Sequence, residues 1–381
     1  MGETAGQRSA IRWSEIARAF LRLGFVAFGG AAAHIAMMEA EFVGRRGWLS
    51  REEFLDRLGA VNLLPGPSST EMAIYLGALR GGIPGLLIAG AAFIVPSAFL
   101  MGVLAWVYLR FGTLPQIAGL LWGIKPVIVA LVAQAVWSLS KTALKSRELI
   151  MIAAMVLLLA AMHVSTLALL IGTGVSWLAA NRFGPHSGGA AAATAIAGTG
   201  GSVLAVTTTG VFVYFLKIGA LLFGSGYVLL AVLREDLVTR LHWLTETQLL
   251  DAVAVSQATP GPFFTVATFV GYQLSGWPGA GLATIGMFVP AFTYVAVTAN
   301  MLPRLRKSPT AGVFLDGLNA AAVALMAFVG FQFARQALMT PVAAVLAAVS
   351  AILLFRYRVN SAWLVLGGAL VGLAVKLAAK N

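Results

Sequence analysis

Several long stretches of the chain contain no Asp, Glu, Lys or Arg, and this limits the fold more than any other feature. They include residues 82–109, 149–181, 276–303 and 337–355. About 20 apolar residues are enough for a helix to cross the hydrocarbon core of a bilayer. Charged residues make up only 10% of the sequence, against roughly 25% in soluble domains. The sequence therefore predicts an all-α polytopic membrane protein.

The chain is basic, with a formal net charge of +12. In a soluble protein this charge would suggest a nucleic-acid partner. Here most Lys and Arg residues lie in short loops, where the positive-inside bias of membrane proteins alone would place them, so we expect no nucleic acid. Cysteine is absent, which excludes disulfides, thiolate metal sites and thiol redox chemistry.

The chain contains two diverged copies of one unit. The segment FLRLGFVAFGG from Phe20 matches FLKIGALLFGSG from Phe215 at an offset of 195 residues, and the same offset pairs Pro-Gly-Pro at 65–67 with Pro-Gly-Pro at 260–262. After one deletion, an offset of 194 residues continues the match. A near-constant offset across roughly a hundred residues indicates internal duplication.

Loop charges indicate that the two copies are inserted in opposite orientations. In the first copy the loop with Lys141, Lys145 and Arg147 is the basic one, whereas the equivalent loop of the second copy carries only Arg335 and its neighbouring loops are basic. Because Lys and Arg stay on the cytoplasmic side, equivalent loops face opposite sides. Inverted-topology repeats of this kind are typical of secondary transporters.

These patterns divide the chain into a first transmembrane repeat (1–185), a linker (186–208) and a second transmembrane repeat (209–381). We expect about six helices in each repeat. In the first repeat the predicted crossings are 14–42, 55–80, 82–109, 115–140, 148–162 and 166–181. Inversion needs an odd number of crossings before the second copy, and the weakly hydrophobic part of the linker would supply a seventh. The alternative is that each Pro-Gly-Pro element is a re-entrant hairpin, which changes the count.

The Pro-Gly-Pro elements interrupt apolar stretches and so predict broken or re-entrant helices. Pro has no N–H group and is well tolerated at the first position of a new helix. Non-helical backbone at membrane depth is tolerated only where protein buries it or where it lines a cavity. A new helix N-terminus there would attract an anion through its free N–H groups and dipole, unless the break is only a packing kink. The predicted substrate-binding residues at these breaks are Gly66, Pro67, Ser68, Ser69, Thr70, Gly261, Pro262, Phe263 and Thr265.

The glycine segments after Phe28 and Phe223 offer close approach of the backbone to a substrate. We therefore include Gly29, Gly30 and Gly224 among the candidate binding residues. Packing of helices through small residues would explain these glycines equally well.

Two charged residues fall inside apolar stretches, where charge is costly and usually functional. Lys125 could neutralise a bound anion or take part in an internal salt bridge, and its repeat counterpart Asn319 is the neutral candidate at the equivalent position. Glu71, next to the Ser-Ser-Thr cluster, could accept a coupling proton. It could also be a carboxylate that the positive end of a helix dipole favours.

Sequence motifs for other chemistry are missing. The chain has no GxxxxGK[ST], HExxH or GxSxG pattern, and its four histidines are scattered. We therefore expect neither an enzyme nor a cofactor or metal site.

Six segments, three in each half, match one known family in order. In the first half they are FGGAAAHIAMMEAEFV from Phe28, WLSREEFLDRL from Trp48 and NLLPGPSSTEMAIYLG from Asn62. In the second half they are FLKIGALLFGSGYVLL from Phe215, DAVAVSQATPGPFFTVATFVGY from Asp251 and GWPGAGLATIGMFVP from Gly276. With these segments the chain resembles the chromate transporter (CHR) family of bacterial membrane proteins. It departs from the family pattern at Ala31, where a proline is common.

The resemblance implies a secondary transporter of the bacterial inner membrane that exports chromate at the expense of the proton-motive force, with sulfate as a mimic or competitor. An anion moved outward gains about 2.3 kcal/mol per charge for each 100 mV of inside-negative potential, which favours export of a dianion. The alternatives are a transporter for sulfate or another anion, and a passive anion channel. The implied partners are chromate or sulfate, protons and the lipid bilayer. A homodimer is an open alternative to a single copy of the chain.

Overall fold

The computed structural model describes residues 13–112, 114–183, 206–223, 226–299 and 309–378. Within these ranges the chain forms helices and no strand. The predicted linker as far as residue 205, and with it most of the candidate seventh crossing, lies outside the described residues.

The helices of the first repeat are α1 (Trp13–Val26), α2 (Gly30–Glu39), α3 (Arg51–Val61), α4 (Ser68–Phe111), α5 (Pro115–Ala143), α6 (Arg147–Ala161) and α7 (Thr166–Phe183). Those of the second repeat are α8 (Thr208–Leu221), α9 (Gly226–Leu233), α10 (Glu246–Ala258), α11 (Val266–Thr298), α12 (Pro309–Ala337), α13 (Pro341–Tyr357) and α14 (Ser361–Ala378). Two π-helical turns extend α2 and α9, namely Ala40–Arg45 and Arg234–Arg240. Each helix of the first repeat has a counterpart seven helices later, so the predicted all-α architecture of two repeats is confirmed.

Helix starts are encoded in the same way in both repeats. Helix α3 begins with a capping box formed by Ser50 and Glu53, and α10 begins with one formed by Thr245 and Gln248. In each box the hydroxyl accepts a bond from the third helical N–H group while the third side chain accepts one from the cap residue's own N–H group. Duplication has therefore preserved local start signals as well as apolar pattern.

Helices α4 and α11 are each two arms joined by a sharp reversal. In α4 the reversal lies at Gly81 and Gly82, where Gly82 has φ +60° and ψ −149°; in α11 it lies at Ser275 and Gly276. Only glycine adopts such backbone angles without steric cost. Gly77 packs directly against Gly85, so the short first arm runs back along the long second arm.

The long arms of α4 and α11 run antiparallel to each other through the middle of the protein. Gly90, early in its arm, packs against Phe292, late in the other arm. Gly102 packs against Trp277 at the opposite ends of the two arms. The two reversals therefore lie at opposite ends of the bundle, as inverted repeats require.

The two repeats exchange their last helices. Helix α5 packs against α13 and α14 of the second repeat, and α12 packs against α6 and α7 of the first. Small residues allow close contact, since Gly123 lies on the backbone of Gly368 and Gly119 on that of Gly372. The last two helices of each repeat thus pack on one long helix of the other repeat: α6 and α7 on α12, and α13 and α14 on α5.

The outer surface of the bundle is apolar. Five helical stretches of the described chain are long and apolar enough to cross a membrane; they are Ser68–Phe111, Pro115–Ala143, Phe263–Thr298, Pro309–Ala337 and Ser361–Ala378. Large apolar side chains such as Phe99, Phe331 and Trp363 are exposed on the surface. A surface of this kind faces lipid, so the chain is a multi-pass membrane protein.

Candidate functional site

The first two helices form a hairpin rather than one crossing. Glu15 near the start of α1 makes an ion pair of 2.9 Å with Arg46, which follows α2 and its π-helical turn. Between them the chain reverses at Gly29 (φ +103°) and Gly30 (φ +77°). The prediction of a single crossing over 14–42 is therefore wrong. Its apolar pattern continues through the reversal, and two successive positive-φ glycines turn the chain back.

The first Pro-Gly-Pro element is the tip of a second hairpin. The guanidinium of Arg57 on α3 donates to the hydroxyl of Tyr75 on the returning arm of α4 at 2.9 Å. These residues stand at similar distances before and after the tip, where Gly66 has φ +135°. This geometry supports the re-entrant alternative, in which both arms open to the same side.

The second Pro-Gly-Pro element lies at an equivalent tip between α10 and α11. Gly261 has φ +93° there. The Ser256 hydroxyl on α10 donates to the carbonyl of Phe263 across the turn at 3.1 Å. The predicted binding residue Phe263 begins the 3-10 turn before α11, and its ring packs against Gly226. Gly224, the other glycine predicted in that segment, lies outside the described residues.

Hydrogen bonds join three of these tips at the centre of the protein. The carbonyl of Ala27, at the end of α1, accepts from the N–H group of Gly261 at 2.8 Å and from Nε2 of His34 at 3.1 Å. Because a carbonyl only accepts, Nε2 carries the proton and a neutral ring presents Nδ1 as an acceptor. The Ser69 hydroxyl donates to that Nδ1 at 3.3 Å. We call Ala27, His34, Ser69 and Gly261 the tip junction.

Each tip also packs against the long arm of the other repeat. Gly261 lies against Ser97, and Gly66 lies against Ala291, the residue equivalent to Ser97 in the second repeat. The hydroxyl groups of Ser97 and Thr265 are 2.9 Å apart. The structure therefore brings together Ser69, Gly261 and Thr265 of the predicted site, with Gly66 at the matching contact.

Glu71 is fully buried in the first turn of α4. Within the described part of the chain, neither of its carboxyl oxygens has a hydrogen-bond partner, and the hydroxyl of the neighbouring Thr70 has none. The carboxyl group lies against Gly66 at the tip. Pro67 caps the helix by accepting from the N–H groups of Thr70 and Glu71, while Ser68 is its first residue.

Lys125 lies away from both tips, in an internal salt bridge. Its ammonium group is 2.8 Å from Asp251 on α10, and the Tyr108 hydroxyl donates to the same carboxylate at 3.0 Å. This cluster borders a cavity of about 400 Å³ together with Thr247 and Gln248. The internal salt bridge, one of the two interpretations of Lys125, is what the structure shows.

Asn319 also lies apart from the tips. It borders a cavity of about 290 Å³ beside the ion pair of Lys145 with Asp316, which measures 2.9 Å. Lys125 and Asn319 are therefore equivalent in the repeats but face different surroundings.

A larger cavity, which we call the basic cavity, has a volume of about 580 Å³ and opens beside the first glycine tip. Its lining includes Gly29, Gln134, Ser138, Lys141, Gln257, Arg358, Asn360 and Ser361. Of these, sequence reasoning selected only Gly29 as a binding residue. Lys141 and Arg358 had a sequence signal, but only as loop charges that indicate orientation.

The family model described as "Chromate transporter" matches residues 14–178 and again residues 209–373. The chain belongs to the chromate transporter family. A chromate transport protein of Cupriavidus metallidurans is 30% identical over 369 residues, covering 93% of this chain and 91% of that relative. One of Pseudomonas aeruginosa is 31% identical over 328 residues, covering 81% and 77%.

An uncharacterized transporter of Bacillus subtilis is 33% identical over 168 residues, which is 44% of this chain and 85% of that relative. No solved structure matches the chain. The family identified from the sequence is confirmed, its members are transporters and not enzymes, and membership supports a role in chromate transport.

Proposed function

We propose that the chain is a secondary transporter that exports chromate, or a similar tetrahedral oxyanion, across the bacterial inner membrane at the expense of the proton-motive force. The observation that carries the proposal is Glu71, a fully buried carboxyl group without a hydrogen-bond partner in the described chain, placed against the first Pro-Gly-Pro tip. The names of the two full-length relatives support chromate as the substrate.

The first tip supplies the groups that would hold the anion. Helix α4 begins at Ser68, and the first N–H groups of a helix have no partner within it. Together with the helix dipole and the hydroxyl groups of Ser68 and Thr70, they form a site that favours negative charge, and Ser69 holds the tip in place through its bond to His34. Lys125 is not needed for this site, since Asp251 already compensates its charge.

Glu71 gives this site a means of coupling to protons. An ionised carboxylate is costly at membrane depth, but the positive end of a helix lowers that cost, so Glu71 is suited to alternate between its two forms. An anion bound beside it repels the ionised form, because like charges interact strongly in a medium of low dielectric constant. Anion and proton therefore occupy the site together.

The direction of transport follows from charge. A dianion accompanied by one proton moves one net negative charge outward, so the electrical component of the proton-motive force supplies about 2.3 kcal/mol per 100 mV of inside-negative potential, while the proton itself moves against any inward pH gradient. Export is thus electrically downhill without ATP. The two inverted hairpin pairs would give access to the tips from one side at a time.

Transport into inverted membrane vesicles tests this proposal. We expect saturable chromate uptake that rises with a lumen-positive potential and depends on pH. Glu71→Gln should lose the pH dependence, because the amide mimics the protonated acid permanently, and its voltage dependence should steepen, because the dianion then moves without a proton. The control is Glu148→Gln on α6, an exposed carboxylate, which should behave as the parent chain.

Three results would contradict the proposal. Uptake without voltage dependence would remove the electrical driving force, and unchanged pH dependence in Glu71→Gln would remove the proposed proton acceptor. Flux that neither saturates nor responds to pH would indicate a passive anion channel instead. Sulfate tested beside chromate distinguishes a sulfate transporter.

A further inference from the structure

The basic cavity differs from the other described cavities in its charge. The cavity beside Tyr108 contains Lys125 with Asp251, and the one beside Asn319 contains Lys145 with Asp316. The basic cavity contains Lys141 and Arg358, and no carboxylate is among the described residues that line it. It therefore has two positive charges that no wall residue compensates.

The two cations are available to a ligand. Among the described residues, neither Lys141 nor Arg358 has a carboxylate within salt-bridge distance. The ammonium group of Lys141 lies 4.9 Å from the centre of the Trp137 ring, a cation–π contact that keeps it beside the cavity. Arg358 ends α13 with φ +52°, a backbone conformation uncommon outside glycine, so its position is set by the turn between α13 and α14.

The two cations come from different repeats. Lys141 belongs to α5, and Arg358 to the loop between α13 and α14, which pack on α5 because the repeats exchange their last helices. The cavity is consequently a product of the whole chain. A local sequence motif could not have identified it.

Part of the cavity wall belongs to the elements that carry the tip junction. Gly29 and Ala33, in the cavity wall, belong to the cap and first turn of α2. Gln257 lies in the wall three residues before Pro260. Since Ala27 and Gly261 of the junction are each only a few residues away in sequence, the cavity adjoins the proposed transport site.

We propose that the basic cavity is the cytoplasmic loading site for a tetrahedral dianion before it reaches the tips. The proposal rests on the proposed function and adds a second anion site to it. Lys141 and Arg358 would neutralise the two negative charges. Gln134, Ser138 and Asn360 would donate hydrogen bonds to the oxygens, since tetrahedral oxyanions accept from several directions at once. The cytoplasmic side is the one that the basic loop at Lys141, Lys145 and Arg147 indicates.

Transport kinetics provide the first test. We expect Lys141→Gln and Arg358→Gln each to raise the KM for chromate about tenfold or more while maximal velocity stays within about twofold, because charge-assisted hydrogen bonds are lost only in loading. Lys141→Arg should restore most of the affinity. One matched control is Lys145→Gln, because Lys145 lies just after α5 but is paired with Asp316. The other is Arg356→Gln, because the Arg356 guanidinium lies over the ring of Tyr357. An unchanged KM in both cavity variants would overturn the proposal.

The absence of cysteine allows a binding test that does not depend on transport. Ser138→Cys places a single exposed thiol in the cavity, and Thr142→Cys places one on the neighbouring cavity of the same helix. A neutral maleimide labels both thiols in the presence or absence of a protecting anion. Sulfate serves as that anion, because chromate itself oxidises thiols. We expect sulfate to slow labelling at position 138 at least threefold and to leave labelling at position 142 unchanged. In the Lys141→Gln background, sulfate should no longer slow labelling at position 138.

The two tests separate the proposals. Sulfate protection at position 138 with no chromate transport would refute the proposed function and leave the anion site in place. Equal labelling at position 138 with and without sulfate, in a chain that transports chromate normally, would refute the loading site and leave the proposed function in place.

Discussion

The two Pro-Gly-Pro hairpins share a backbone and differ in chemistry. Gly66 and Gly261 both have positive φ, and each tip packs against the equivalent position of the other repeat's long arm. The first tip continues into Ser-Ser-Thr-Glu, with a buried carboxyl group at Glu71, whereas the second continues into Phe-Phe-Thr-Val. Duplication therefore preserved the geometry of the tip, while divergence left the acidic and most of the hydroxyl groups on one copy.

The hairpins also differ in what holds them. Arms of the first are joined to each other by the Arg57–Tyr75 hydrogen bond. The second is attached to the first repeat through Asp251 on its inbound arm, which contacts Lys125 and Tyr108. The bond between the arms of the first hairpin lies away from its tip, whereas the bond within the second, from Ser256 to Phe263, lies at the turn, and the inbound arm of the second is held by the other repeat.

The largest effect should come from breaking that attachment. Lys125→Asn introduces the residue that the second repeat has at Asn319, and it leaves Asp251, which is only 6% exposed, without its cation. Removing one partner of a buried ion pair typically destabilises a protein by about 3–5 kcal/mol. Unfolding in detergent should show this loss, and Lys125→Asn with Asp251→Asn should recover most of it. Equal stability of the single and double variants would mean that the pair contributes no specific attraction.

Backbone geometry should give the next largest effect. Gly261→Ala forces a Cβ atom against Ser97 at positive φ, whereas Gly82→Ala, at φ +60°, meets open space. A non-glycine residue in such a conformation costs on the order of 1–3 kcal/mol. We expect the melting temperature to fall for both, and further for Gly261→Ala. Similar losses at both positions would show that close packing at the tip adds nothing to the strain.

Hydroxyl deletions at the two tips should have smaller and unequal effects. Ser69→Ala removes the donor to His34, and Thr265→Val removes the contact with Ser97. Ser69→Ala should cost about 1 kcal/mol of stability, a usual net value for one hydrogen bond, and Thr265→Val should cost more, because the Thr265 hydroxyl also donates to the carbonyl of Pro262. Only Ser69→Ala should also raise the KM for chromate, because only the first tip is proposed to bind the anion. A larger change in KM for Thr265→Val would reverse the assignment of the two tips.

The smallest effect should come from the Lys145–Asp316 pair. Its side chains are 59% and 36% exposed, and exposed ion pairs contribute about 0–1 kcal/mol. Lys145→Gln should leave the unfolding transition almost unchanged, and high salt should leave the parent chain equally unaffected. A loss as large as that of Lys125→Asn would show that exposure does not separate the two pairs.

Sequence reasoning was most successful where the signal was periodic or repeated. The offset of the copies, the all-α class and the family follow from patterns that the residues carry themselves. An apolar sequence pattern looks the same whether the chain crosses the membrane or turns back within it. The reversal at Gly29 and Gly30 could therefore not be distinguished from a crossing over 14–42. The ion pair of Glu15 with Arg46, which closes that hairpin, is a tertiary contact.

The predicted site residues lie mostly beside the breaks, and their role in binding stays a prediction. The positive φ of Gly66 and Gly261 and the burial of Glu71 agree with the emphasis on the Pro-Gly-Pro elements. Lys125 was harder, because its partner Asp251 lies in the other repeat. For Arg358 the sequence indicated only a positive charge in a loop. Its position in the basic cavity results from the exchange of the last helices between the repeats.

That exchange has a consequence for how such a protein is assembled. During synthesis α6 and α7 are made long before α12, the helix against which they pack. Until α12 is inserted, part of the packing surface of the first repeat has no partner within the chain. Contacts between distant parts of a chain form late for the same reason. A chain that ended after α7 would never receive that surface from itself. Half-length proteins of this architecture would have to assemble in pairs, each supplying the long helix on which the other closes.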